Sequence, residues 1–162
     1  MSDALPPFDP LTRVDPWAAL RDGRMQLLAA LDRLREEELD LRVSADGLEL
    51  RIAEAAALHA AWDRVHRAFF TGLVDGDVRA SAEPSVADLE VALTAEALSV
   101  DLEDARREVL EAAAGIGGER YEERVASPWD GEVVDSIRGY LVALAMRDGI
   151  LAEAIVEARR AP

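Results

Sequence analysis

DGLELRIAEAAALHAAWDRVHRAF, residues 46–69, decides how the rest of the chain is read. Ile52, Ala55, Leu58, Trp62, Val65 and Phe69 recur every three or four positions, the period of one helical face. Asp46-Gly47 is a turn signal, so a helix is predicted from about Leu48 to Leu73. On it His59, Asp63 and His66 fall at i, i+4 and i+7, along one side. Two imidazoles and a carboxylate suit zinc or nickel chemically. The spacing is less suited, because His59 and His66 are separated by roughly 10 Å along the axis. One ion cannot reach both, and either half of the set needs ligands from another helix. No metal is favoured, and these three residues read as polar neighbours at the edge of a core, a histidine hydrogen-bonded to a carboxylate.

Working outward, Asp15-Pro16 is a helix start, with Asp at the N-cap and Pro at the first helical position. Trp17, Leu20, Leu27, Leu28, Leu31 and Leu34 carry that helix to about Leu39. Residues 1–14 hold three prolines and no period and read as an extended arm, which leaves 15–162 as one domain. On the other side, VDGDVRASAEP (74–84) is a loop. Pro84 opens a third helical region with Val86, Leu89 and Leu93 on one stripe. Leu102, Ala105, Val109, Ala113 and Ile116 form another, restarted at Ser99 as an N-cap. After the connector YEERVASPWDGE (121–132), a last helix is predicted from about Glu132 to Arg160. Four long amphipathic helices and almost no strand signal predict an all-α four-helix bundle, with the long loop after the second helix as a crossover. No internal repeat and no glycine-rich phosphate loop are read.

Composition narrows the function. The 162 residues include no cysteine, so disulfides, thiolate nucleophiles and Cys-based zinc sites are excluded. All 18 basic residues are Arg, the mark of GC-rich bacterial coding, and the net charge is −15. The arginines are interleaved with Asp and Glu, as on solvated helix faces, so nucleic acid is not an expected partner. No apolar run approaches the ~18 residues of a membrane span, and a cytoplasmic location is expected.

Three longer stretches, LLAALDRLREEELDLRV (27–43), the opening 46–69 segment and ARREVLEAAAGIGGERYEERVASPWDGEVVDSIRGYLVALAMRDGILAEAI (105–155), resemble the DinB-like superfamily over Trp17–Ile155. The likeness rests on element order and spacing, on Trp62 and on SPWDGE. It implies a four-helix fold, a divalent metal held by three histidines in many members, and thiol-dependent transferase, isomerase or hydrolase activity in some. The ligand positions it implies are Leu58, four residues before Trp62, and the pair Arg147 and Leu151. None is histidine. His59 is one residue late, which on a helix turns the side chain by about 100°.

The expected protein is therefore a DinB-like bundle whose metal site has degenerated, working as a ligand-binding or interaction module. Arg147, Asp148, Trp62, Leu58 and Leu151 are the candidate pocket residues, with Asp63, Asp148 or Glu54 expected to pair Arg147 if its guanidinium points inward. Trp129 is expected to plug one end. A homodimer and a small-molecule ligand are the expected partners. The alternative is a divalent-metal-dependent thiol transferase or hydrolase with zinc or nickel on relocated ligands.

Overall fold

The computed structural model describes residues 15–161; the arm 1–14 and Pro162 lie outside them. The described residues are mostly helical, with four long helices and two small antiparallel sheets. The elements are α1 (Pro16–Asp32), β1 (Arg42–Ala45), β2 (Leu48–Arg51), α2 (Ile52–Asp75), α3 (Ala95–Ala114), β3 (Arg124–Ala126), β4 (Val134–Ser136) and α4 (Ile137–Arg160). No helix among the described residues is long and apolar enough to cross a membrane.

Local chemistry sets the helix ends. Asp15 accepts the Trp17 N–H at 3.0 Å and Pro16 opens α1, as the sequence predicts. The helix ends at Asp32, short of the predicted Leu39. Leu34 and Leu39 are both buried, yet five helical steps would place them about 140° apart. The chain breaks and a 3₁₀ turn over Glu36–Asp40 brings Leu39 back to the core.

The first sheet corrects the expectation of an almost strand-free chain. Asp46 (φ 54°) and Gly47 (φ 76°) form the two-residue loop of a hairpin in which Val43 pairs Leu50. Positive φ at both loop residues is what a type I′ turn requires, and Asp-Gly supplies it. Residues 48–51 are strand, so α2 begins at Ile52. The second hairpin likewise delays α4 from the predicted Glu132 to Ile137.

The third predicted helical region is also corrected. Residues 89–94 are not helical; Thr94, not Ser99, caps α3 by accepting the Ala97 N–H at 3.2 Å. Val86, in a 3₁₀ turn over Val86–Asp88, and Leu89 just after it still pack on the core, while Leu93 is 79% exposed.

The helices pack in the cyclic order α1–α4–α2–α3. In α1 and α4, Gly23 lies against Ala145 and Asp148, and Gln26 against Gly149, so these two run parallel. A Cβ at Gly23 would come 2.7 Å from the Ala145 carbonyl oxygen, so only glycine allows this approach. Arg67–Glu108 and Val74 against Gly115 make α2 and α3 parallel as well. Arg24 on Leu102 and Arg106 on Leu20 set α1 antiparallel to α3; His59 on Arg147 and Phe69 on Tyr140 set α2 antiparallel to α4. Residues 76–94 therefore carry the chain back along α2 before α3 starts.

The core has two apolar clusters. One, with Leu27, Leu31, Leu58, Leu98, Leu151 and Ile155, is aliphatic and covered by the first hairpin. The other, with Leu20, Phe69, Phe70, Val109, Leu141 and Leu144, is aromatic. One charged layer lies between them.

Candidate functional site

Each helix contributes one ion to that layer: Arg24 from α1, Asp63 from α2, Arg106 from α3 and Asp148 from α4, none more than 4% exposed. The side chains project inward because each is in phase with its helix's apolar residues. Arg24 is four residues from Leu20 and three from Leu27; Arg106 is four from Leu102 and three from Val109.

Arg24 grips Asp148 with two nitrogens, Nε to Oδ2 at 3.0 Å and Nη2 to Oδ1 at 3.2 Å. Arg106 grips Asp63 the same way, Nε to Oδ2 at 2.9 Å and Nη2 to Oδ1 at 3.1 Å. Cross contacts close the ring: Arg24 Nη2 to Asp63 Oδ2 at 3.0 Å and Arg106 Nη2 to Asp148 Oδ2 at 3.1 Å. The remaining Nη1 groups donate to backbone carbonyls, Arg24 to Leu102 at 2.5 Å and Arg106 to Leu20 at 2.8 Å. All four carboxylate oxygens accept from a guanidinium, and the formal charges cancel. Burial works against the Arg106 cation, but Asp63 and then Asp148 outweigh it and hold its pKa above the usual value.

Two histidines flank this layer. His59 is 4% exposed; its Nδ1 lies 2.9 Å from the Ala55 carbonyl and its Nε2 3.2 Å from that of Arg147. Both neighbours are acceptors, and a neutral imidazole donates to only one. His66 Nδ1 donates to the Trp62 carbonyl at 2.8 Å, and its ring packs among Trp62, Phe70 and Trp129. Burial lowers the pKa of both. For His59 the nearby Asp148 works in the opposite direction. His66 falls to about 4, with the bond to Trp62 opposing.

The structure moves several sequence-predicted residues. His59, Asp63 and His66 are buried, not at the edge of the core, and the histidines face backbone carbonyls instead of carboxylates. Leu58 and Leu151 are ordinary core residues of the aliphatic cluster. Arg147 is partly buried but does not join the charged layer: its guanidinium lies 4.7 Å over the Trp62 ring and pairs with Asp46 at the hairpin tip at 2.5 Å. Glu54 instead accepts the Arg51 N–H at 2.9 Å. Trp129 packs on the flank of α2, against Trp62, His66, Phe69 and Tyr140. None of the five pocket candidates lines the groove of about 670 Å³ between α1 and α4, whose floor includes Ala29, Ala30, Ala152 and Val156.

Sequence reading missed Arg24 and Arg106. The signal was present: each is a charge inside an apolar stripe.

The donor set does not fit a divalent cation. The lone pairs of Asp63 and Asp148 already face two guanidinium cations, and both ring nitrogens of His59 face carbonyls. Among the described residues no group of three or more His, Asp or Glu side chains is arranged to hold a metal. Comparison of the chain with protein-family models, curated proteins and solved structures finds no match.

Proposed function

We propose that this chain is a DinB-like four-helix bundle that works without a metal, as a cytoplasmic interaction module joined to a second copy of itself. The observation that carries the reading is the closed charge ring. The polar centre satisfies its own charges and leaves no ion with spare valence for a substrate, so recognition is assigned to the surface.

The α1/α4 face is the surface best suited to that role. Met25 on α1 and Met146 and Ile150 on α4 are 67%, 55% and 60% exposed, and a groove lined by alanines, Val156 and charged side chains runs between the two helices. The α2/α3 face, by contrast, is laced with the ion pairs Arg64–Asp101 and Arg67–Glu108. Exposed apolar side chains on α1 and α4, against solvated ion pairs between α2 and α3, favour burial of the first.

Elemental analysis and light scattering on untagged protein, prepared without chelator, test the reading. The expected result is no stoichiometric metal and a dimer that Ile150→Glu converts to monomer. Stoichiometric zinc or nickel, lost in His59→Ala, would establish the thiol transferase or hydrolase alternative.

A further inference from the structure

The contacts of the charged layer come in pairs. Arg24 and Arg106 each grip one aspartate with Nε and Nη2, each reach the other aspartate with Nη2, and each donate Nη1 to the other's helix. The accepting carbonyls are Leu102, four residues before Arg106, and Leu20, four residues before Arg24. Exchanging α1 with α3 and α2 with α4 maps this set of contacts onto itself. The same exchange maps the parallel pair α1/α4 onto the parallel pair α3/α2. A two-fold axis perpendicular to the helices, through the charged layer, has this effect.

Although no repeat is visible in the sequence read alone, individual residues match along the same correspondence. Leu20-Arg-Asp-Gly-Arg24 matches Leu102-Glu-Asp-Ala-Arg106; Leu28 and Ala30 match Leu110 and Ala112; Arg42-Val43 matches Arg124-Val125. All of these lie 82 positions apart. Asp46-Gly47 and Asp130-Gly131 lie 84 apart, and from Ile52/Ile137 onward the offset is 85, because the second hairpin is longer. Ile52 and Ile137 each open a 24-residue helix, and Asp63 and Asp148 each stand eleven residues further on. The mate of Trp62 is Arg147, and these two stack on each other.

We propose that the chain is two copies of one helix–hairpin–helix unit, residues 15–75 and 95–160, and that each copy is the other's binding partner across the charged layer. Neither unit encloses its own apolar faces, since α1 and α2 touch little, as do α3 and α4. Each unit brings one arginine and one aspartate, and each arginine's two-nitrogen grip falls on the other unit's aspartate. Segment 76–94 then joins the two units; it lays Val86 and Leu89 on the aliphatic cluster but adds no ion to the charged layer.

Two experiments on the full chain test this. Matched substitutions at mates, Arg24→Lys beside Arg106→Lys and Leu20→Ala beside Leu102→Ala, are expected to lower Tm equally, within about 3 °C for each pair. The second is a circular permutant beginning at Pro84 and ending at Glu83, with Pro162 joined to Met1. Residues 1–14 then tether α4 to α1 across roughly 30 Å, a distance about ten extended residues cover. It is expected to unfold cooperatively with the parent's circular dichroism. Mates differing by more than about 8 °C, or a permutant without a cooperative transition, would each overturn the proposal.

Discussion

Arg147 and Asp148 are neighbours in the chain, yet they occupy opposite electrostatic settings. Asp148 lies in the closed ring, 1% exposed, with both oxygens held by arginines from two other helices. Arg147 lies outside, its side chain 22% exposed, stacked on Trp62 and paired with a hairpin-tip aspartate that is itself 31% exposed. The same two ion types therefore carry different energetic weight. In the ring, water has been removed and each ion depends on its partners. At the hairpin the pair is partly exposed and solvent screens it more than the ring, while burial still pulls the Arg147 pKa below its usual value. Position on the helix, one step of about 100°, makes the difference.

The largest consequence is expected in the ring. Asp148→Ala or Asp63→Ala leaves a buried guanidinium without its two-nitrogen partner and should cost ~3–5 kcal/mol in urea unfolding. Replacing all four ions together by Leu or Met should cost far less than the sum of the single changes, because no orphaned charge remains. A single-site cost below ~1 kcal/mol would place these ions in contact with water and end the distinction between the two regions.

Acid should separate the regions next. In the folded chain His66 titrates at about 4, against the ordinary 6.5, because burial disfavours its charged form. The folded state thus binds fewer protons than the unfolded state between these values. Stability from this residue is complete above pH 6.5 and is lost as pH falls towards 4, by roughly 3 kcal/mol. His59 acts in the same direction. His66→Phe should flatten the pH dependence of urea unfolding between pH 6.5 and 4; an unchanged slope would show that His66 is protonated without cost in the folded chain.

The sequence carried the helices well and the connections poorly. Asp15-Pro16 and the leucine spacing of α1 placed its start, and the stripe from Ile52 to Phe69 placed α2. The first hairpin was legible but outweighed: Val43 and Ala45, then Leu50, alternate around Asp-Gly, a strong short-range hairpin pattern. The second hairpin was not legible, since its three-residue strands show too little alternation to register. For the site, Asp63 and Asp148 stand out in the sequence, while Arg24 and Arg106, interleaved with Asp and Glu, resemble solvated charges. A charge in an apolar stripe reveals that something must meet it. Which helix supplies the partner depends on the packing order α1–α4–α2–α3, and that order has no local signature in the chain.

The hairpin pair should give the smallest effect. Asp46→Ala is expected to cost no more than about 1 kcal/mol and Arg147→Ala no more than about 2 kcal/mol, with a double-mutant coupling of ~0.2–1 kcal/mol that shrinks as salt rises. The stack on Trp62 adds ~0.5–1 kcal/mol to what Arg147→Ala removes and nothing to what Asp46→Ala removes. The Nε of Arg147 is buried without a hydrogen-bond partner, a cost that an apolar side chain would not bear. Arg147→Met, which keeps a long side chain over Trp62 and removes that donor, should therefore be milder than Arg147→Ala in the same urea titration. If Arg147→Met instead matched the loss seen for Asp148→Ala, the guanidinium would be as essential as the buried ring, and exposure would no longer explain the contrast between neighbouring residues.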